Sequence, residues 1–382
     1  MKSFSSQNRF AAQLLLAVLA FFPIRAGAEG LRPSMDKAYE NFKELQVYMR
    51  NASSFSNPQN SAAISANLEA LLRNFHGLAE VRSPYKNEPG FLTSLKLVTE
   101  MLKDATNRFN ENKKDYAFWR LRTLSNYCVN CHVTYNATAA FADSGTVPQG
   151  LSEIQKVDFY LATRQLEEAR RTLAKALTTS QSDYLKMALL RRWLVVEVRS
   201  VGKPADTYVN LSALSSKLQL PRAEAGEVGQ WTASLKKWAE EKPSAKDLST
   251  AERILKASLS GDYFSQQVDS VGLLRSTALL HAVLAQPGLK SADRARTLYL
   301  LGLGYSQLSL FLIDELPEMY LEACIVEFPG TPQAREAFDL YEQVMTARFS
   351  GSGGVYLPSD AEAHLSELHD KAYGIPSFNG KI

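Results

Sequence analysis

The chain has 382 residues, of which 45% are hydrophobic and 22% are charged, so it can bury a large core and lacks the composition of a disordered protein. A single core stops growing at roughly 250 to 300 residues, and we therefore expect two domains. The formal charge of the whole chain is +3. Lys2, Arg9 and Arg25 lie in an N-terminal segment that we expect to be removed, and without them 40 basic residues balance 40 acidic ones. Such a balance gives no electrostatic basis for a nucleic-acid partner, and we expect none.

Residues 1–28 have the pattern of a secretory signal peptide. Lys2 and Arg9 precede an apolar run over residues 10–22, and an Ala-Gly-Ala cleavage site ends at Ala28. Because the run is shorter than the roughly 20 residues that span a bilayer, we expect cleavage near Ala28 rather than membrane anchoring. No later stretch is long and apolar enough to span a membrane. The sequence therefore predicts an exported, periplasmic protein whose mature chain has no membrane span.

Residues 29–140 have the periodicity of a helical bundle. Apolar residues recur there at spacings of three and four, and proline-containing turns separate the first three periodic runs. The four sets are Met35, Ala38, Phe42, Leu45 and Met49; Ile64, Leu68, Leu71, Phe75 and Leu78; Leu95, Val98, Leu102, Ala105 and Phe109; and Ala117, Leu121, Leu124, Cys128, Cys131 and Tyr135. Four such faces predict four helices packed side by side.

Residues 141–151 lose this period and gain turn residues, so we expect a linker there between two independently folding domains. Residues 152–349 are again periodic, and the whole chain is therefore predicted to be all-α. Two stretches, which begin near Tyr160 and Leu301, have the spacing of tetratricopeptide helix pairs. We expect an α-solenoid of helical hairpins that resembles tetratricopeptide arrays. Residues 350–382 are predicted to form a C-terminal loop and a short helix from Ser359 to Tyr373.

Three cysteines are an odd number for an oxidising compartment, where thiols usually pair. Cys128, Cys131 and His132 form the sequence C-x-x-C-H, which is the attachment signal for c-type haem. On a helix, positions i, i+3 and i+4 share a face, so both thiols can bond haem vinyl groups while the imidazole points at the iron. We expect one haem c per chain, with Cys324 left over as a small buried residue.

Other uses of two close cysteines fit this sequence less well. A thioredoxin-like redox site needs a βαβ setting, and a zinc site needs further ligands nearby. A regular helix accommodates a Cys128–Cys131 disulfide poorly.

The remaining histidines His281, His364 and His369 have no ligand-like spacing, and we expect them on the surface. No phosphate loop, nucleophile triad or paired carboxylate stands out, so the sequence predicts no enzyme.

A four-helix segment with C-x-x-C-H near the end of its last helix, followed three residues later by an aromatic residue, resembles the class II cytochromes c, the cytochrome c-prime family. Cys128, Cys131, His132 and Tyr135 match that motif. The resemblance covers the predicted bundle only. It implies a four-helix haem domain in which His132 binds the iron from one side. One departure is the asparagine that follows Tyr135, where the family has arginine or lysine.

The resemblance also implies two classes of sixth iron position. Some members of the family leave that position empty beneath an apolar side chain and bind gases, whereas others place a methionine there and carry electrons. Met35 lies in the opening turn of the first helix and resembles the methionine of the second class, so it is the candidate distal ligand. Core packing is the alternative role for Met35. Met49, Met101 and His76 are weaker candidates for the same position.

The sequence thus predicts a periplasmic c-type cytochrome that transfers electrons and docks a redox or other protein partner through its helical repeats. An open sixth site would instead make it a gas-binding or gas-sensing haem protein. A third hypothesis is an interaction scaffold in which the haem has a structural role. Neither the partner's identity nor the oligomeric state follows from the sequence.

Overall fold

The chain is described by a computed structural model that covers residues 31–78, 89–135, 141, 146–180, 182–242, 245–259, 268–308, 311–312 and 315–375. Within these ranges it forms seventeen α-helices, one 3-10 turn, one π-helical turn and one pair of two-residue strands. The prediction of an all-α chain is confirmed for this part of the protein. The expected signal peptide, residues 1–28, and the departure from the family motif at Asn136 lie outside the described residues.

The N-terminal part contains three long helices and three short ones. Their bounds are α1 (Arg32–Tyr48), α2 (Ala52–Ser56), α3 (Ser61–Leu78), α4 (Pro89–Asn110), α5 (Lys114–Leu121) and α6 (Leu124–Tyr135). The buried face of α1 consists of Ala38, Tyr39, Phe42 and Leu45. Helix α1 packs against α3, α3 against α4, and α4 against both α5 and α6. The apolar spacing of the sequence therefore located the three long helices.

The fourth helix is where the structure differs from the prediction. A single helix is expected from Ala117 to Tyr135, but the chain is broken at Arg122 and Thr123 into α5 and α6. The Thr123 hydroxyl donates to the Arg120 carbonyl at 2.9 Å, and the Thr123 N–H approaches the same carbonyl at 3.4 Å. A hydroxyl that bonds a nearby backbone carbonyl competes with the helical hydrogen bonds. The prediction of one continuous helix is wrong, and the cysteine motif lies on its second half.

The C-terminal part is made of helical hairpins. Its helices are α7 (Glu153–Ala162), α8 (Leu166–Thr179), α9 (Asp183–Val196), α10 (Pro204–Ser215), α11 (Arg222–Glu240), α12 (Leu248–Leu259), α13 (Ser270–Leu284), α14 (Ser291–Ser306), α15 (Leu316–Glu327), α16 (Pro332–Arg348) and α17 (Ser359–Tyr373). Successive helices pack in pairs, most extensively α14 with α15 and α15 with α16. No helix in the described ranges is long and apolar enough to cross a membrane.

Close approach between the last hairpins depends on a glycine. At Gly302 of α14, an added Cβ would lie 2.5 Å from the side chain of Leu321 on α15, so only glycine permits this spacing. Beyond α16, the predicted loop contains the short antiparallel strands β1 (Ser350–Gly351) and β2 (Gly354–Val355). The predicted terminal helix is confirmed with the bounds Ser359–Tyr373.

One hydrophobic core extends through both parts of the chain. Tyr39 of α1 stacks on Phe141, with ring centroids 4.6 Å apart, and Phe42 stacks on Phe159 of α7 at 5.9 Å. Residues 141–151 interrupt the helical period but do not separate two cores. That the two parts fold independently stays a prediction.

We expect Phe159→Ala to lower the free energy of unfolding by about 3–5 kcal/mol, because truncation leaves a cavity between α7 and α1. The Phe159 side chain is 1% exposed and contacts aromatic rings on the other side of the predicted boundary. Urea denaturation followed by circular dichroism measures the change. Tyr184→Ala is the control, since that side chain is 86% exposed and should matter by less than about 0.5 kcal/mol. An equally small effect of Phe159→Ala would contradict the shared core.

Candidate functional site

The cysteine motif lies on one face of α6. Cys128, Cys131 and His132 occupy positions i, i+3 and i+4 of this helix, which brings their side chains to the same side. All three are half-buried and line one cavity. The structure therefore groups the three side chains as their helical spacing requires.

That cavity lies among α1, α3, α4 and α6, at the junction with the C-terminal part. The cavity has a volume of about 70 Å³ and is partly open to solvent. Aliphatic and aromatic side chains form most of the wall, and Phe141, Ala162 and Thr163 complete it from beyond the predicted bundle. Among the described residues that line it, none is Asp, Glu, Lys or Arg. The wall of the cavity is therefore suited to contact an apolar group.

His132 is neutral in these surroundings. Desolvation lowers the pKa of its imidazole to about 4, and the positive charge of Arg164 acts in the same direction. The Ala162 carbonyl accepts a hydrogen bond from the ring, whereas Nδ1 has no hydrogen-bond partner among the described residues. A neutral imidazole that is oriented by a backbone carbonyl and retains one unbonded nitrogen can bind a metal.

The two motif cysteines are protonated thiols at neutral pH. Desolvation raises the pKa of both Cys128 and Cys131 to about 12, with Cys131 adding to the shift at Cys128 and Arg164 opposing the shift at Cys131. Neither cysteine is in a disulfide. In the part of the chain that the structure describes, no three His, Cys, Asp or Glu side chains are placed to hold a metal ion by themselves.

Met35 reaches the same cavity from α1. It is half-buried and packs against a small apolar cluster that also contacts Cys131. Met49 and Met101 are buried elsewhere in the core, and His76 is exposed. Of the four side chains considered for the sixth iron position, the structure brings Met35 alone to the cavity wall formed by the described residues.

Three cavity residues lie outside the predicted bundle, where the sequence provides no reason to expect them. Phe141 lies in the predicted linker, while Ala162 ends α7 and Thr163 follows it, all outside the segment that resembles a haem domain. Their positions depend on how α7 packs against α6. No local period or motif carries information about such a contact, so the sequence held no signal for it.

Two other titratable residues lie away from the cavity. His281 was expected on the surface, but it is 9% exposed, and its Nε2 lies 2.6 Å from the Tyr305 hydroxyl. The expectation is wrong because a hydrogen-bond partner inside the core lowers the free-energy cost of burying a neutral histidine. Cys324 is fully buried, as predicted, with its Sγ 3.4 Å from the Ala295 carbonyl.

The function of this chain must be assigned from the geometry of its own residues. Comparisons with protein-family models, with curated proteins and with solved structures find no match for this chain. The residues around the cavity must therefore carry any functional assignment.

Without haem, the motif thiols should react slowly with iodoacetamide at neutral pH. A pKa of about 12 instead of 9.0 makes the thiolate fraction at pH 7 about a thousandfold smaller, and the fraction rises only as the pH approaches 12. Mass spectrometry of peptides from native and urea-unfolded protein measures the labelling. Tyr184→Cys provides an exposed reference thiol in the same chain. Native labelling of Cys128 and Cys131 as fast as that of the reference would contradict their desolvation.

Proposed function

We propose that this chain is an exported, periplasmic c-type cytochrome that carries one haem c and transfers electrons. The haem is attached through thioether bonds from Cys128 and Cys131, and His132 binds the iron from one side. The observation that supports this most strongly is that the three side chains of C-x-x-C-H face one apolar cavity. A haem iron takes four ligands from the porphyrin, so one or two protein ligands complete it.

The residues present fit this group chemically. The protonated thiols of Cys128 and Cys131 are in the form that adds across haem vinyl groups, and their spacing of three residues keeps both on the cavity side of α6. His132 contributes a neutral imidazole whose orientation depends on the Ala162 carbonyl. The apolar walls exclude water from the buried part of the group. When bound, the haem supplies an iron that alternates between the ferric and ferrous states.

Met35 supports electron transfer as the activity. Its thioether is a soft ligand that favours ferrous iron and raises the reduction potential, as an electron carrier on the oxidising side of a membrane requires. The class II cytochrome c resemblance points to the same position. We therefore propose Met35 as the distal ligand opposite His132.

The apolar wall also supports a second candidate function. Met35 packs against Leu78, Phe91 and Leu95, which is equally the environment of a methionine that only fills space. In that arrangement the sixth iron position stays open, and the protein binds or senses small gases. The two functions differ in whether Met35 binds iron, so ligation decides between them.

The C-terminal helical hairpins support docking of a protein partner. A groove between the motif helix and α9 has a volume of about 430 Å³ and is lined by Asn126 and Val129 of α6 together with Ala188, Arg191 and Arg192 of α9. A redox partner seated there would contact the helix that carries the cysteines. Short separation between redox centres is what an electron-transfer complex needs.

Replacing the motif cysteines tests covalent attachment. The unmodified protein, matured with export and haem-attachment machinery, should keep its haem through denaturation and acid-acetone extraction, because thioether bonds survive both. Cys128→Ala together with Cys131→Ala should release all haem under the same treatment, as measured by absorbance and intact mass. Cys324→Ala should retain it, since this thiol lies outside the cavity. Haem retained by the double variant would overturn the assignment.

Replacing Met35 tests the sixth ligand. The unmodified ferric protein should be low-spin, and its ferrous form should bind carbon monoxide slowly. Met35→Ala should open the iron, giving a high-spin spectrum, faster carbon monoxide binding and a lower reduction potential. Met49→Leu is the control, because Met49 is buried outside the cavity. Should the unmodified protein already be high-spin and bind carbon monoxide readily, gas binding replaces electron transfer as the function.

A further inference from the structure

A second groove lies beside the break between α5 and α6. It has a volume of about 670 Å³, and its other walls come from α1, α7 and α9. It shares part of its lining, including Trp119 and Arg192, with the groove between α6 and α9. Ser125 and Asn126 contribute to the wall from the first turn of α6. A molecule seated in this second groove would therefore contact the helix that carries the cysteine motif.

The second groove carries an excess of positive charge. The described residues that line it include three arginines, Arg50, Arg122 and Arg192, after which we name it the arginine groove, and one acid, Asp158. The charge of Arg192 is balanced, because its guanidinium donates to both oxygens of the Asp158 carboxylate at 2.5 and 3.2 Å. Arg50 and Arg122 are exposed and form no ion pair with any described residue. Two positive charges in the arginine groove are therefore left without an acidic partner in the described part of the chain.

The stem of Arg50 packs against the backbone at Gly150. Gly150 has a φ of 81°, and an added Cβ there would lie 2.8 Å from Cδ of Arg50. The aliphatic part of this arginine therefore covers the chain just before α7, while its charged end remains accessible to solvent. A side chain whose stem is already packed loses less conformational freedom when its charged end binds a partner. Arg50 is thus better prepared for binding than an arginine that extends freely into water.

Two exposed aromatic side chains line the same groove. Trp119 is 59% exposed and Tyr184 is 86% exposed, although both are large residues. The Trp119 ring lies 5.7 Å from that of Tyr116, which supports it from the side of α5. Tryptophan, tyrosine and arginine are the residue types most enriched where protein partners bind, because they combine large apolar area with hydrogen-bonding groups. Their combination in one groove indicates a ligand that has both acidic and apolar groups.

We propose that the arginine groove binds an acidic segment of the protein partner, an inference that rests on the docking role in the proposed function. Carboxylates of that segment pair with the guanidinium groups of Arg50 and Arg122, and an apolar side chain packs on Trp119. A concave groove between helices fits a peptide segment better than the broad surface of a bilayer. Two uncompensated charges are also fewer than the row of phosphate contacts on which nucleic-acid binding depends.

The probe is a synthetic glutamate-rich peptide with one central leucine, titrated into the full matured chain by isothermal titration calorimetry. We expect binding that weakens as salt is added, and none to the same peptide with glutamine in place of glutamate. Arg50→Gln and Arg122→Gln should each raise the dissociation constant at least roughly threefold, and Trp119→Ala should do the same. Arg253→Gln is the matched control, because Arg253 is an exposed arginine on α12, away from the groove. Circular dichroism verifies that each variant is folded.

Equal affinity of the unmodified chain and of the Arg50→Gln, Arg122→Gln double variant would overturn the inference, as would failure of the unmodified chain to bind the peptide. Binding of phosphatidylglycerol vesicles or single-stranded DNA in place of the peptide would assign the groove to another kind of partner and overturn it too. Haem absorbance of the same samples separates the two proposals. A chain with covalent haem that ignores the peptide contradicts the acidic partner alone, whereas a chain without covalent haem that binds it contradicts the cytochrome assignment alone.

Discussion

Desolvation of one face of α6 is the constraint on which the rest of the site depends. Cys128, Cys131 and His132 are polar or reactive groups, yet they border a cavity whose wall is aliphatic and aromatic. Burial keeps the thiols protonated and the imidazole neutral, because each charged form would lose its hydration. Covalent haem attachment would use the two thiols and leave the imidazole to bind the iron, so the cavity maintains all three groups in the form that the proposed chemistry requires.

This constraint involves both parts of the chain. Helix α1 contributes Met35 and α6 contributes the motif, but the carbonyl that orients His132 comes from Ala162 on α7. Contacts of the Tyr39 and Phe42 rings with Phe159 hold α7 in that place. A partner that binds the helical hairpins would therefore act on a surface continuous with the proposed redox site.

Much of the fold follows from local sequence. The apolar residues of α1, α3 and α4 recur at helical spacing, and burial of one face is enough to specify each helix. The break at Thr123 was missed because a threonine hydroxyl competes for a backbone carbonyl without disturbing the apolar period.

The site was predictable only in part, because the apolar period of the sequence does not show which helices contact one another. Grouping of the motif on one helical face depends on spacing, which is visible in the sequence, whereas the positions of Ala162 and Thr163 beside the motif depend on how α7 packs against α6. Burial of His281 against Tyr305 is another such contact.

We propose that this cavity holds one haem bound to α6. X-ray diffraction from crystals of the exported, matured protein, recorded at the iron absorption edge, tests it most directly. We expect a single iron in the cavity, bonded to a ring nitrogen of His132, with electron density continuous from both motif sulfurs to the porphyrin. Crystals without iron, or with iron bound elsewhere on the chain, would contradict it.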